Sequence, residues 1–193
     1  MRKIISKHAE DKRKKRNGLI VGMILIFIMF FSVVGYSFIG RENDDVKKIE
    51  YKGFKFVKDN DFWFTEIGNL NFVFEYNPDE VERIDSKLKY LENYYGKPLY
   101  IFSENKDTEL EIYRNLDPRV NQIVQRIQSA CLEGEICDGN LPVKTCGDNF
   151  IIIKESNISK IIQEENCVFI GGKQENLVKL TDEFLFKILS IEG

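Results

Sequence analysis

The longest apolar stretch of the chain runs from Leu19 to Gly40, 22 positions without a charged side chain. A helix needs about 20 apolar residues to cross a hydrocarbon core of roughly 30 Å, and a helix satisfies its own backbone there. Residues 1–18 hold eight basic side chains, and basic residues beside a span stay in the cytoplasm. The pattern predicts a basic cytoplasmic tail (1–18), a single transmembrane helix (19–40) in the lipid bilayer, and a C-terminal domain outside the cell membrane.

A cleaved signal peptide is the competing interpretation of the same stretch. Its apolar region normally has about 7–15 residues, which is shorter than the run observed here. The small residues Gly35 and Ser37 do provide a pattern that a signal peptidase accepts. The length of the run favours a signal-anchor, and cleavage stays the alternative.

After a polar linker (41–49), apolar and polar residues alternate with a period of two between residues 54 and 76. This period is typical of short antiparallel strands. Asn60 and Gly68 interrupt the alternation where turns are expected. We expect the aromatic residues to form one core face of a sheet; they are Phe54, Phe56, Phe62, Phe64, Phe72, Phe74 and Tyr76.

Two later segments have the pattern of amphipathic helices. In 77–96, Asn77 is a good N-cap, Glu80 completes a capping box, and Gly96 is a plausible end. In 117–134, Asp117 and Pro118 start the pattern and place Cys131 on the core side of the predicted helix. A buried strand over 97–103 follows the first helix and gives a β-α-β step.

The remaining segments complete the predicted domain. The pattern leaves 108–116 undecided between a strand and a short helix. Residues 149–172 are rich in strand formers with a turn at Ser156-Asn157, and 175–191 has the spacing of an amphipathic helix. We therefore predict an α+β fold over 50–193, with a mixed or antiparallel sheet and about three packed helices.

The four cysteines, Cys131, Cys137, Cys146 and Cys167, all follow the apolar run. Zinc sites need closely spaced cysteine pairs, often completed by His, and the single His of the chain is His8. Redox pairs are typically Cys-x-x-Cys at the start of a helix, a spacing that is absent here. The arrangement favours structural disulfides in an oxidising compartment. A redox-active Cys131/Cys137 pair and a metal site are the weaker alternatives.

The predicted turn at Ser156-Asn157 suggests which cysteines are joined. If it connects two paired strands, position 151 faces 162 and Cys146 faces Cys167. Opposed strand residues lie about 4.5–5.5 Å apart, within the range of a disulfide. Cys131 would then join Cys137.

The distribution of charge and the residue types present exclude several functions. Residues 1–18 hold eight of the 28 basic and two of the 31 acidic residues, so 19–193 carries 20 basic and 29 acidic groups, a net charge of −9. An acidic domain is not expected to bind nucleic acid. Without His it cannot build a Ser-His-Asp triad or a His-based metal site. No catalytic residue, metal or cofactor is predicted.

One sequence motif points to a modification. Asn157, Ile158 and Ser159 form an acceptor pattern for N-glycosylation on a predicted turn. Three-residue matches also arise by chance, so the pattern is a weak signal. Because the domain is predicted to lie outside the cell membrane, we expect glycosylation at Asn157.

The basic tail, the single span and three C-terminal segments resemble those of small single-pass membrane-anchored proteins of archaeal type. The segments are "CDGNLPVKTCGDNFIIIKES", "ENCVFIGG" and "LTDEFLFKIL". The resemblance is strongest over 97–191 and implies an anchored, disulfide-bearing protein. It transfers no catalytic residue.

Two functions fit these features. The first is a non-catalytic extracytoplasmic domain that binds or scaffolds an envelope protein or glycan. The second is an extracytoplasmic enzyme, either a thiol–disulfide oxidoreductase or a hydrolase that uses carboxylates. A hydrolase should show two converging carboxyls in a cleft, with at least one raised pKa. The sequence favours the first.

Overall fold

A computed structural model describes residues 18–29, 47–137 and 139–192 of the 193-residue chain. The chain divides into two compact units, Met1–Asp45 and Val46–Gly193, and each is described by itself. Nearly all of the predicted basic tail, and most of the linker 41–49, lie outside the described residues.

The first unit contains one described helix, α1, over residues 18–29. Most of its apolar side chains are exposed within this unit. Among the described helices, none combines the length and the hydropathy that a membrane crossing requires. The predicted span 19–40 continues over residues 30–40, which lie outside the described residues.

The C-terminal domain (46–193) begins with a four-stranded antiparallel meander in the order β1-β2-β3-β4. Its strands are β1 (Lys48–Tyr51), β2 (Phe54–Asp59), β3 (Phe62–Ile67) and β4 (Leu70–Phe74). Tight loops set the register, and the first uses Lys52 and Gly53, both at positive φ. Such two-residue loops match the twist of paired strands. The strands predicted between residues 54 and 76 are therefore confirmed.

The prediction that one aromatic stripe faces the core is wrong for β3. There the buried residues are Trp63 and Thr65, whereas Phe64 is 39% exposed. The register places Thr65 opposite both Phe56 and Phe72. An alternating pattern shows which residues of a strand share a face. When both faces carry apolar residues, as in β3, the pairing with neighbouring strands decides which face is buried.

A five-stranded mixed sheet forms the centre of the domain, in the order β10-β11-β9-β5-β6. Strands β11, β9, β5 and β6 run parallel, and β10 is antiparallel to β11. The bounds are β5 (Pro98–Ser103), β6 (Arg126–Ser129), β9 (Asn149–Glu155), β10 (Lys160–Glu164) and β11 (Cys167–Gly172). The α+β prediction is confirmed at the level of a compact domain with helices and both antiparallel and mixed sheets.

Helix α2 (Lys106–Leu116) connects β5 to β6 and makes the parallel β-α-β unit. It forms from the segment that the pattern left undecided. The Asn105 side chain caps it by accepting the N–H groups of Asp107 and Thr108 at 2.8 and 3.3 Å. An N-cap of this kind satisfies donors that the first turn leaves unpaired. The sequence pattern placed the helix of this β-α-β step at 77–96, before the strand at 97–103; in the structure the helix is α2, which follows that strand.

Helix α3 (Leu177–Ile188) follows a short 3₁₀ turn, Gln174–Asn176, and confirms the predicted C-terminal helix. Phe186 has no exposed surface, and its ring centroid lies 4.6 Å from that of Phe74 in the meander. A Cβ at Gly172 would overlap the Leu180 side chain, so glycine is needed where the helix approaches β11. Gly172 therefore serves the packing of α3 on β11, whereas a Cβ at Gly171 would meet the side chains of Lys160 and Ser156.

The helix predicted over 77–96 is wrong. Its capping box does form, because Asn77 Oδ1 accepts the Asp79 N–H and Glu80 Oε2 accepts the Asn77 N–H. The chain then continues through 81–90 without regular structure, a segment we call the strap, into a 3₁₀ turn, Leu91–Asn93. Side chains of other elements accept two of the strap's N–H groups: Glu183 accepts that of Ile84 at 3.3 Å, and Gln163 accepts that of Lys89 at 2.7 Å. Tertiary hydrogen bonds replace the helical ones here.

The helix predicted over 117–134 is also wrong. The Asp117 carboxylate accepts hydrogen bonds from the backbone N–H and the guanidinium of Arg119, which stabilises a turn. The chain then continues into β6. Gln125 donates its N–H to the Lys97 carbonyl, which starts the pairing with β5. Cys131 lies in the two-residue strand β7 (Cys131–Leu132), which pairs with β8 (Val143–Lys144). Pairing along a parallel strand outweighs a weak helical pattern.

Candidate functional site

The two faces of the five-stranded sheet are covered by different parts of the chain. One face packs against the helices, and its residues Ile101, Ile151 and Val168 share a cluster with Ile112 of α2 and Phe184 of α3. The opposite face, which we call the outer face, carries a separate cluster that contains no helical residue. Its buried members are Tyr100, Ala130, Phe150, Ile152 and Cys167.

Residues 130–137 and 139–148, which we call the cover, lie over one part of this outer face. Leu132 and Cys146 of the cover pack on the outer-face cluster. Lys144 places its Nζ 4.3 Å from the ring centroid of Tyr100. Arg126 donates to the Tyr100 hydroxyl at 3.1 Å, and the bonds from Lys144 and then Arg126 lower the pKa of Tyr100. The cover has little regular structure, so its position depends on such contacts.

Two disulfide bonds constrain the cover: one closes a loop within it, and the other attaches its end to the sheet. One joins Cys131 to Cys137, with a Cα–Cα distance of 5.9 Å, and the other joins Cys146 to Cys167 at 4.9 Å. These are the two pairs named from the sequence. A disulfide stabilises mainly by restricting the unfolded chain, and more so for longer loops. Disulfides are also consistent with an oxidising environment.

The reason given for the second pair is nevertheless wrong. Strands β9 and β10 are not neighbours, because β11 lies between them and pairs with both. The true hairpin is β10–β11, where Glu164 faces Cys167 across a loop of Glu165 and Asn166. Cys146 reaches Cys167 because it precedes β9, the parallel partner of β11, and its carbonyl accepts the Asn166 N–H at 3.1 Å.

Beyond the cover, an apolar row crosses four strands of the outer face. Cross-strand registers align its members, which are Ile162, Phe169, Ile152 and Phe102. Ile152 is buried, Phe169 and Phe102 are half-buried, and Ile162 is 44% exposed. Lys154 lies at the end of the row, with its Nζ 5.4 Å from the Phe102 ring centroid. The sheet thus presents apolar side chains that no described helix covers.

The loop closed by Cys131 and Cys137 lies beside this row. Lys154 Nζ is 2.8 Å from a carboxylate oxygen of Glu135, which fixes the loop next to Phe102. The following residue, Ile136, is 98% exposed. Val143, paired with Cys131 in the small sheet, is 63% exposed. An aliphatic side chain presented by a short disulfide-closed loop is preorganised for contact with another molecule.

Two buried carboxyls, Glu183 on α3 and Glu192 just after it, were not anticipated from the sequence. Glu183 has no exposed surface, and its Oε1 accepts the Ile84 N–H at 3.3 Å. Glu192 accepts the Tyr51 hydroxyl at 2.5 Å and lies 3.3 Å from Arg83 Nε. Burial, followed by the charge of Glu192, raises the pKa of Glu183 to about 7. Glu183 thus attaches the strap to α3, and Glu192 attaches the strap and β1 to the residues just after α3.

A second carboxyl pair joins Asp182 of α3 to Glu111 of α2. Asp182 accepts the Tyr76 N–H at 2.9 Å, and burial together with the charge of Glu111 raises its pKa well above the ordinary value. Burial also raises the pKa of Glu111, which is bonded to Arg114 at 2.5 Å. Neither carboxyl has exposed surface. Raised pKa values accompany catalytic acids, but carboxyls closed off from solvent and bonded to the backbone have a structural role.

The pKa of Glu183 predicts how stability depends on pH. The folded domain binds this proton more tightly than the unfolded chain, for which the pKa is 4.5. The stabilisation is therefore complete below about pH 4.5 and is lost as the pH rises toward 7, by on the order of 2 kcal/mol. We expect Glu183→Gln, which keeps the acceptor for Ile84, to flatten this decline in chemical denaturation series at pH 4.5 to 8. An unchanged slope would contradict the assignment.

A shallow depression of about 440 Å³ lies at the end of α2. Leu110 and Val120 are exposed there, at 49% and 58%. The cations beside them are already engaged, because Arg119 is bonded to Asp117 and Arg114 lies 4.2 Å from the ring centroid of Phe62. It is a weaker candidate than the outer face.

The remaining predicted site residue, Asn157, is exposed in the connection between β9 and β10. Its glycosylation stays a prediction. Within residues 18–29, 47–137 and 139–192, no group of three or more His, Cys, Asp or Glu side chains is arranged to hold a metal ion. Comparison with family models, with curated proteins and with solved structures finds no match for this chain.

Proposed function

We propose that this chain is a membrane-anchored, extracytoplasmic binding domain that recognises another envelope protein through its outer face. The observation that carries the proposal is the set of exposed apolar side chains on this face, Ile136 and Val143 of the cover and Ile162 of the apolar row, whose Phe169 and Phe102 are half-buried. Exposed apolar patches with polar rims commonly mark protein interfaces. The domain is not an enzyme in this proposal, because the carboxyls with raised pKa values are used structurally.

The anchor and the compartment belong to the same proposal. The apolar run 19–40 would hold the chain in the bilayer, with the C-terminal domain outside. The disulfides support this location, since they form and persist in oxidising compartments. A protein partner is favoured over a glycan because the exposed side chains of Ile136 and Val143 are aliphatic and carry no hydrogen-bonding group.

The test compares two valines of similar exposure on different surfaces. A photoreactive residue is introduced at Val143 beside the cover loop, or at Val120 in the depression at the end of α2, in the full chain in its native membrane. Their exposed fractions are 63% and 58%. We expect a discrete protein adduct from position 143 and none from position 120.

A second substitution ties the adduct to the surface itself. Ile136→Asp introduces a charge into the contact and should remove at least nine-tenths of the adduct formed from position 143. Val120→Asp should leave it unchanged. Equal adducts from both positions, or an adduct insensitive to Ile136→Asp, would contradict the proposal. Partial reduction of Cys131–Cys137 in native membranes would instead favour the redox enzyme.

A further inference from the structure

Strand β10 (Lys160–Glu164) forms one edge of the five-stranded sheet. It pairs with β11 on one side. On its other side, no backbone group of the described residues bonds to its N–H and C=O groups. The strap reaches β10 through the side chain of Gln163 and leaves the strand's outward main chain unpaired. An open edge of this kind is a template for another strand.

The sequence of this edge is complementary to itself. If two copies pair antiparallel about Ile162, Lys160 of each copy lies opposite the partner's Glu164. The twofold axis then passes between the two Ile162 side chains, which face each other. Opposite charges directly across a strand pair stabilise it, and like charges destabilise it. An isologous contact must satisfy this symmetry.

The three side chains also point the same way. Residues 160, 162 and 164 alternate with buried Ile161, so they share the outer face, where Ile162 aligns with Phe169. Lys160 and Glu164 are exposed, and Ile162 is 44% exposed. Pairing would therefore bury an apolar contact between two ion pairs.

The other edges of the two larger sheets do not combine these features. In β1, Lys48 and Glu50 are also symmetric about Ile49, but Ile49 packs against the core of its own domain. Strand β6 (Arg126–Ser129) contains no acidic residue. Strand β4 is bridged by Asn115, whose side chain bonds both the N–H and the carbonyl of Val73 at 2.8 Å.

We propose that two copies of this chain associate through β10, forming a continuous ten-stranded sheet that joins their outer faces. The proposal does not rest on the proposed binding function, since it is argued from the open main chain of β10 and the charges of Lys160 and Glu164; Ile162 is the one residue that belongs to both surfaces. It predicts a homodimer in the membrane that forms without any other protein.

Cysteine cross-linking of the full chain in native membranes tests the register. All four native cysteines are in disulfides, so an introduced cysteine is the sole free thiol. Directly opposed residues of antiparallel strands lie about 4.5–5.5 Å apart, within disulfide range. Ile162→Cys should give a dimer of twice the chain mass on mild oxidation. Val120→Cys should give none, and Lys160→Cys should cross-link to a co-expressed Glu164→Cys chain.

Charge exchange tests the ion pairs. With Ile162→Cys present, Lys160→Glu or Glu164→Lys alone should slow dimer cross-linking about tenfold, and the two together should restore it. Glu50→Lys on β1 is the matched control and should have no effect. The substituted side chains at 160, 164 and 50 are exposed, and an intact Cys146–Cys167 bond verifies the fold of each variant.

Three results would overturn the proposal. They are the absence of a dimer with Ile162→Cys, equal cross-linking in all charge variants, and an adduct whose mass shows a different protein on this edge. The photo-adduct at position 143 is read from separate variants, so failure of the homodimer and failure of the binding function are distinguishable.

Discussion

Phe186→Ala is expected to lower the free energy of unfolding of the C-terminal domain by about 4 kcal/mol. The Phe186 ring has no exposed surface and lies 4.6 and 6.0 Å from the ring centroids of Phe74 and Phe56. It thus joins the last helix to the meander formed at the start of the domain. Truncation removes apolar contacts and leaves a cavity that rings held in two separate strands cannot readily fill. Urea denaturation of the full chain in detergent measures the loss.

Phe64→Ala is the matched control for this prediction. Phe64 lies on β3 but is 39% exposed, so the same truncation should cost about 1 kcal/mol or less. Equal losses for the two variants would mean that the contact between α3 and the meander contributes little. A smaller denaturant slope for Phe186→Ala would show instead that the meander unfolds separately.

Removal of the Cys146–Cys167 bond by a double substitution to serine should lower the free energy of unfolding by about 3 kcal/mol. The bond closes a loop with a sequence separation of 21 residues. It attaches the end of the cover to β11, whose Cys167 is fully buried. Without it, the cover loses its covalent attachment to the sheet. Thermal and urea unfolding under matched conditions provide the measurement.

The Cys131–Cys137 bond provides the comparison. It closes a separation of six residues, for which loop-closure entropy predicts about 2 kcal/mol. Its main effect should be local, because it shapes the turn that presents Ile136. We expect faster proteolysis within 133–143 in Cys131→Ser/Cys137→Ser, with most of the global stability retained. A larger global loss from this bond than from Cys146–Cys167 would contradict the assigned roles.

The elements predicted correctly are those whose local pattern agrees with their tertiary environment. The period-two segments of the meander and the apolar spacing of α3 are examples. Residues 177–188 place most of their side chains in the core, and the apolar stripe read from the sequence lies on the buried side. When the local preference and the packing agree, a single sequence is sufficient to identify the element.

The two wrong helices show the opposite situation. Asn77 and Glu80 make the hydrogen bonds of a helix start, yet the strap that follows is bonded to Glu183 and Gln163 instead of to itself. These partners lie 74 or more positions away in the chain. A helix of moderate propensity is stabilised mainly by packing. Two backbone donors of the strap, those of Ile84 and Lys89, are bonded by these distant side chains, so the local signal does not decide its structure.

The outer face could have been inferred in part from β9. Its residues Phe150 to Ile153 are apolar at both parities, which is typical of a strand covered on both faces. Helices α2 and α3 cover one face of the sheet, and the segment that contains Cys131, Cys137 and Cys146 covers part of the other. The neighbours of β9 could not be predicted from the sequence. Strand β11 lies between β9 and β10, although it follows both in the chain, and no local pattern indicates this strand order.

Local patterns in the chain are sufficient to identify the apolar run, the asymmetry of charge, the absence of His from residues 9–193, the α+β class and the expectation of paired cysteines. These follow from composition and from short periodic patterns, which depend on nearby residues. The tertiary structure alone decided the strand order, the buried parity of β3, the carboxyls that hold the strap and the exposure of Ile136. Each of these depends on contacts between distant positions, whose free energies exceed the small local preferences of the chain.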